Sequence, residues 1–172
     1  MISMDISHPD IEEFIDVKTD LNKVTKANIS VRISDEFMHA VKNKEKYTCR
    51  FFLESTKEEI IKEVDAHKLF MKLVENNWNY AEPGILFWDN IKKYHLLSED
   101  KDFKHDGVNP CAEEPLPAGG SCLLGSINLS EFVVEPFTKE AIFDMEKFNA
   151  CVQDCILGLN EVLDEGLSLH PL

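Results

Sequence analysis

Two kinds of hydrophobic spacing alternate along this chain, and the alternation limits its fold more than any single motif does. Ile2, Met4 and Ile6 alternate with Ser3, Asp5 and Ser7, the period of a half-buried strand over residues 1–6. Pro9 then opens a helix, where its missing N–H costs nothing, and Asp10, Glu12 and Glu13 suit the positive end of the helix dipole. Ile11, Phe14 and Ile15 give that helix one apolar face, and it is expected to end near Lys18. The run "ANISVRI", residues 27–33, reads as a second strand, and Ser34 caps a short helix carrying Phe37, Met38 and Val41. "YTCRFFL", residues 47–53, is a third strand candidate. Thr56 and Glu59 have capping-box spacing, so Ile60, Ile61, Val64, Phe70, Leu73 and Val74 predict one long helix to about Trp78. "EPG" at 82–84 breaks it, and 85–94 reads as another helix. Residues 95–121 read as mostly irregular, "CLLGSINL" as a short buried run, and Asp144 to Asp164 as a last helix closed by Gly166. Strands alternating with helices define the α/β class.

Composition sets the outer limits. The 172 residues suffice for one ordinary domain, and 44% hydrophobic residues are enough for a core. The net charge of -14 repels nucleic-acid polymers, whose phosphates need clustered Lys and Arg. It leaves a small nucleotide possible, because backbone amides at a helix N-terminus can hold phosphate. No apolar run approaches the roughly 20 residues of a membrane span, and the start lacks the pattern of an export signal, so the expectation is a cytoplasmic chain. Five cysteines without framework spacing argue against a secreted disulfide scaffold. Opening directly on a strand suggests that the chain is a middle piece of something larger.

Residues 109–129, "NPCAEEPLPAGGSCLLGSINL", carry the chemistry. Thiols do redox and nucleophilic work, and carboxylates move protons. Cys111 and Glu113 are alternate residues, so in an extended segment they share a face, with Asn109 on it too. Pro110, Pro115 and Pro117 cut the entropy cost of holding them, and Cys122 follows the pair Gly119–Gly120. The plain alternative, a proline-rich surface loop with incidental cysteines, is equally compatible with composition. Cys151 and Cys155 are an i, i+4 pair on the last helix; core filling is favoured over half a metal site, and Cys49 is read as core. His8, His39, His67, His95, His105 and His170 are scattered and form no metal motif. "GGSCLLG" lacks the closing Lys of a phosphate loop, and the acidic stretch 98–106 reads as solvated. Trp78, Tyr80 and Trp88 are read as packing residues rather than an aromatic platform.

The 109–129 stretch resembles the catalytic-loop signature of the ribonucleotide reductase large chain, most closely its adenosylcobalamin-dependent (class II) branch, N-P-C-x-E-x-P-L-P-x-x-x-x-C-x-L-G-S-I-N-L. "HPDIEEFIDVK" (8–18), "NISV" (28–31), "DEFM" (35–38), "AEPGILFWD" (81–89) and "PFT" (136–138) occur in the family's order, so the likeness covers essentially residues 1–172. It implies a central portion of the family's ten-stranded α/β barrel, with Cys111 on the loop that enters the barrel. It implies reduction of a ribonucleoside di- or triphosphate to the 2′-deoxyribonucleotide. By that likeness Cys111 becomes the thiyl radical that takes the 3′ hydrogen, Glu113 takes the 3′-hydroxyl proton, and Asn109 hydrogen-bonds the ribose hydroxyls. Cys122 is one of two cysteines that reduce the substrate, with its partner upstream of Met1. The short Cys111–Cys122 spacing favours adenosylcobalamin as cofactor over a metal-containing radical-generating small subunit. The implied partners are a thioredoxin-like reductant, an allosteric nucleotide held mainly by segments outside this chain, and the remaining segments of the reductase. Ala112 stands where many members have glycine, and Glu114 where many have an apolar residue or glutamine. Two competing readings stand beside this one: a non-catalytic remnant or interaction module, and a small thiol redox protein that forms a Cys111–Cys122 disulfide.

Overall fold

The computed structural model describes residues 1–167, which divide into two compact units, Met1–Gly120 and the remainder from Ser121. The first is built on three parallel strands, β1 (Ile2–Asp5), β2 (Ile29–Ile33) and β5 (Gly84–Phe87), in the order β1-β2-β5. Between β1 and β2 runs α1 (Ile11–Asp16). Between β2 and β5 run α2 (Asp35–Asn43), an antiparallel hairpin of β3 (Lys46–Leu53) and β4 (Glu58–Asp65), and α3 (Ala66–Tyr80). The α/β class expected from the sequence is what the chain adopts. The described residues form open sheets, parallel and antiparallel, and do not close a barrel.

The core lies where the apolar faces of α1, α2 and α3 meet the sheet. Ile11 and Ile15 from α1, Phe37 and Val41 from α2, and Leu69 and Leu73 from α3 pack with Val31 and Ile33 of β2. Phe37 meets Tyr47 edge-on at 5.1 Å between ring centres. Cys49 is fully buried there, as expected, and burial pushes its thiol up from the ordinary range. Asn76 is the main polar element inside this packing. Its Nδ2 donates at 3.0 Å to the Ile15 carbonyl and at 3.0 Å to Asp16 Oδ1, joining α3 to the last turn of α1. Ser34 caps α2 as expected, its Oγ accepting from the Phe37 N–H at 3.1 Å.

Two predicted helices change identity. Residues 58–65 do not begin the long helix; they form β4, paired along its whole length with β3 from Lys46↔Asp65 to Leu53↔Glu58. The β-branched Ile60, Ile61 and Val64 suit a strand, and Lys57, at φ +59, closes the turn with its N–H on the Leu53 carbonyl at 2.8 Å. The true cap is Asp65, whose Oδ1 accepts from the Lys68 N–H at 2.9 Å. Residues 84–87 likewise form β5, and only Trp88–Tyr94 is helical, as α4. Gly84 suits that strand physically, since a Cβ there would sit 2.7 Å from Ser30 Oγ on β2. In both places strand pairing outweighs the local helical pattern.

After α4 come the short strands β6 (Gly107–Val108) and β7 (Pro115–Leu116). The second unit holds a 3-10 turn at Leu129–Phe132, a small ladder of β8 (Val133–Val134) with β9 (Ile142–Phe143), and α5 (Met145–Gly166). Asp144 caps α5 through the Lys147 N–H at 2.9 Å. Gly166 is the last helical residue and Leu167 after it is right-handed, so the expected glycine stop is not the device used. Phe132, Phe143 and Phe148 cluster with ring centres 5.4–5.9 Å apart.

The expected burial of "CLLGSINL" is not found: Leu123 and Leu124 are exposed. Nor are Cys151 and Cys155 core; the first is half-buried and the second exposed. The reason is common to both. Among the described residues of this unit Phe132 is the only buried hydrophobic side chain, so nothing there covers an apolar run. Trp88 packs as expected, whereas Trp78 is 88% exposed and Tyr80 is also exposed. No described helix is long and apolar enough to cross a membrane. His170 lies outside the described residues.

Removing the α1–α3 bridge strands the Ile15 carbonyl. Asn76→Ala should lower stability by about 1–3 kcal/mol, seen as a lower urea midpoint with an unchanged slope.

Candidate functional site

Residues 106–116 fold back on themselves as a small hairpin. β6 and β7 pair antiparallel, Gly107 opposite Leu116 and Val108 opposite Pro115. The Asp106 N–H donates to the Leu116 carbonyl at 3.0 Å, and the Asn109 N–H to the Glu114 carbonyl at 3.1 Å. Pro110 follows, in the turn position its fixed φ favours, and the Ala112 N–H closes the turn on the Asn109 carbonyl at 3.0 Å. Ala112 then takes φ +70, the left-handed conformation that lets a short hairpin loop rejoin its second strand.

This geometry replaces the extended segment expected from the sequence. Cys111 sits inside the turn, so strand alternation does not place it beside Glu113. The turn does bring both to the hairpin tip, where both are exposed. Asn109 is at the base, only 7% exposed, and its Oδ1 accepts from the Glu114 N–H at 3.0 Å. That bond uses the amide oxygen and leaves Nδ2 as the donor end. Pro117–Gly120 makes a further turn, with Gly119 at φ +74. Cys122 lies in the second unit, half-buried, and both it and Cys111 are free thiols.

The hairpin is tied to the sheet by two side chains that the sequence reading did not single out. Asn28 Nδ2 donates to the Pro110 carbonyl at 2.9 Å, and Arg32 Nη1 to the Asp106 carbonyl at 3.2 Å. The signal available was their position on alternate residues of "NISVRI", opposite the apolar set. Arg32 also lies over the Trp88 ring at 5.1 Å. Beyond it His95, Phe103 and His105 stack or meet edge-on with centres 4.6–4.9 Å apart. Burial, then the neighbouring His95 and Lys92, holds His105 below its ordinary range. On α5, Cys151 and Cys155 bring their sulfurs to 4.0 Å, and burial with the second thiol pushes Cys151 up.

A sequence model of the family described as "ribonucleotide reductase, barrel domain" matches residues 1–171. The chain is 33% identical to the vitamin B12-dependent ribonucleotide reductase of Streptomyces clavuligerus, an alignment covering 93% of this chain and 18% of the relative. It is 32% identical to the vitamin B12-dependent ribonucleoside-diphosphate reductase of Thermoplasma acidophilum, over 94% of this chain and 20% of that protein. For the vitamin B12-dependent ribonucleoside-diphosphate reductase of Mycobacterium tuberculosis (strain ATCC 25618 / H37Rv) the identity is 29%, over 99% and 23%. The chain therefore spans about a fifth of the length of the curated relatives it matches.

The left-handed residue of the hairpin is a local test of this geometry. An alanine there costs about 1–2 kcal/mol of backbone energy, which a glycine avoids while losing about 0.5–1 kcal/mol in chain entropy. Ala112→Gly should therefore stabilise the hairpin by up to about 1 kcal/mol, read as slower hydrogen exchange of the Glu114 amide.

Proposed function

This chain belongs to the ribonucleotide reductase barrel-domain family, and from that premise we propose that its Cys111 hairpin carries out the thiyl-radical step of ribonucleotide reduction. The observation that supports the reading is the hairpin tip: an exposed thiol in a turn, an exposed carboxylate two residues on, and a buried amide at the base. Cys111 takes hydrogen from C3′ of the ribose, because an S–H bond is weak enough to exchange hydrogen with a sugar carbon. Glu113 accepts the 3′-hydroxyl proton while one of the two reducing thiols protonates the C2′ hydroxyl, which leaves as water, and Glu113 later returns its proton to the 3′ oxygen. Asn109, fixed through its oxygen by the Glu114 N–H, offers Nδ2 to a ribose hydroxyl. Cys122 and a second cysteine, in the part of the relatives outside this chain, give two electrons and two protons, one proton to the departing water and the other to C2′, and end as a disulfide. Cys111 then returns the hydrogen to C3′. The product carries hydrogen in place of the 2′ hydroxyl.

The cofactor named in the relatives is vitamin B12. Its adenosyl form fits this chain in one respect: Cys111 is exposed and can be reached by a group approaching the hairpin tip. When bound, such a cofactor supplies the radical equivalent that converts the Cys111 thiol to a thiyl. The substrate is proposed to be a ribonucleoside diphosphate or triphosphate, the reductant a thioredoxin-like dithiol, and the compartment the cytoplasm. The chain alone lacks the second reducing cysteine, so turnover requires the remaining segments.

The test is to join this chain to the segments that complete the length of its relatives and measure deoxynucleotide formation. Activity should require adenosylcobalamin and vanish in Cys111→Ala. Glu113→Gln should lower kcat by about 10²–10⁴-fold, the range of a lost general base. The unjoined 172-residue chain should show no turnover. Deoxynucleotide formation that persists in Cys111→Ala would overturn the assignment, and activity supported only by a metal-containing small subunit would overturn the cofactor.

A further inference from the structure

β2 is the middle strand of the parallel sheet, paired with β1 on one side and β5 on the other. Its residues divide strictly by face. Ile29, Val31 and Ile33 are buried among the hydrophobic side chains. Asn28, Ser30 and Arg32 alternate with them and so point to the other side. Asn28 belongs to this pattern although it lies just before the strand, because its carbonyl accepts the Ile2 N–H at 2.9 Å and extends the ladder.

The polar face of β2 is the face that holds the hairpin. Asn28 grips the Pro110 carbonyl and Arg32 the Asp106 carbonyl. Arg32 lies four positions after Asn28, and Pro110 four positions after Asp106. The first partner of one segment meets the last of the other, so residues 106–110 run antiparallel across β2 at matched length, about 13 Å for four extended residues. One bond lies at the root of the hairpin. The other lies on the peptide directly before Cys111.

We infer that Asn28 and Arg32 are positioning residues for the Cys111 turn, fixing the arm that leads into it, at Asp106 and at Pro110, to the most constrained strand of the sheet. The inference rests on the reading of Cys111 as the reacting thiol for its functional meaning, but not for its geometry. Asn28 acts through the Pro110–Cys111 peptide: with its carbonyl held, the peptide plane cannot rotate, and the direction of the Cys111 side chain is set. Arg32 holds the start of the same arm, at the Asp106 carbonyl, and its guanidinium lies over the Trp88 ring. A reacting thiol must stay within a fraction of an ångström of its target, and sites gain that precision from rigid elements rather than from loops.

The test uses hydrogen exchange in this chain, which does not depend on activity. Asn28→Asp keeps the shape, removes the donor and sets a carboxylate against the Pro110 carbonyl. Arg32→Met keeps the stem over Trp88 and removes the donor. Each should speed exchange of the Ala112 and Glu114 amides about fivefold, the factor one ordinary hydrogen bond supplies. Exchange at the Leu73 amide, in the core helix α3, should not change. Unchanged Ala112 and Glu114 exchange in both variants would overturn the inference. So would an equal rise at Leu73, which would mean general loosening of the fold. In the joined, active protein Asn28→Asp should lower kcat by about 10–100-fold with KM unchanged. If the joined protein proves inactive while the exchange pattern holds, the clamp stands and the reductase reading falls.

Discussion

The two-residue period of β2 is the constraint on which the first unit depends. Because successive side chains of a strand point to opposite faces, one short run does two jobs. Val31 and Ile33 give α1, α2 and α3 something to pack on, and Ile29 is buried on the same face. Asn28 and Arg32 hold the segment that carries Cys111. A one-residue slip of β2 against its neighbours would turn the isoleucines toward the hairpin and the polar residues into the core. Register is therefore under double control, by burial on one face and by two backbone carbonyls on the other. Gly84 lies close to Ser30 as well, and a Cβ at 84 would have to displace the Ser30 hydroxyl, 2.7 Å away.

Much of this was legible in the sequence where local signals and tertiary pairing agree. The strand runs at 1–6, 27–33 and 47–53, the Ser34 cap and the apolar faces of α1 and α2 all follow from spacing. The errors at 58–65 and 84–87 share one cause. Ile60, Ile61 and Val64, or the run from Ile85 to Tyr94, satisfy a helical pattern locally, and only the partner strand decides otherwise. Thr56 and Glu59 have capping-box spacing, but Thr56 lies in the hairpin turn and Glu59 in β4, and the cap that acts is Asp65. The exposed Leu124 and Cys155 mark a different limit. Hydrophobicity says that a side chain favours burial; it does not say what will cover it.

The candidate residues were chosen on chemistry, and the structure changes their geometry. Residue types pointed to Cys111, Glu113 and Asn109, but the expected extended arrangement gave way to a turn. One signal for that turn was present: Pro110 stands in its favoured position. Ala112 takes the left-handed φ at which a glycine would be unstrained. Asn109 proves to have a structural duty as well, since its oxygen holds the Glu114 N–H and closes the base of the hairpin. One amide thus both shapes the turn and keeps a donor for a ligand. The anchors Asn28 and Arg32 lie about eighty residues away in sequence, and spacing alone could not pair them with carbonyls in the loop.

The account centres on hydrogen transfer between Cys111 and C3′ of a ribose. The most direct measurement is a competition between ribonucleotides carrying hydrogen or deuterium at C3′, turned over by the joined protein to partial conversion. Breaking that C–H bond should enrich deuterium in the unreacted ribonucleotide. An unreacted pool with the starting isotope ratio, at substantial conversion to deoxynucleotide, would contradict it.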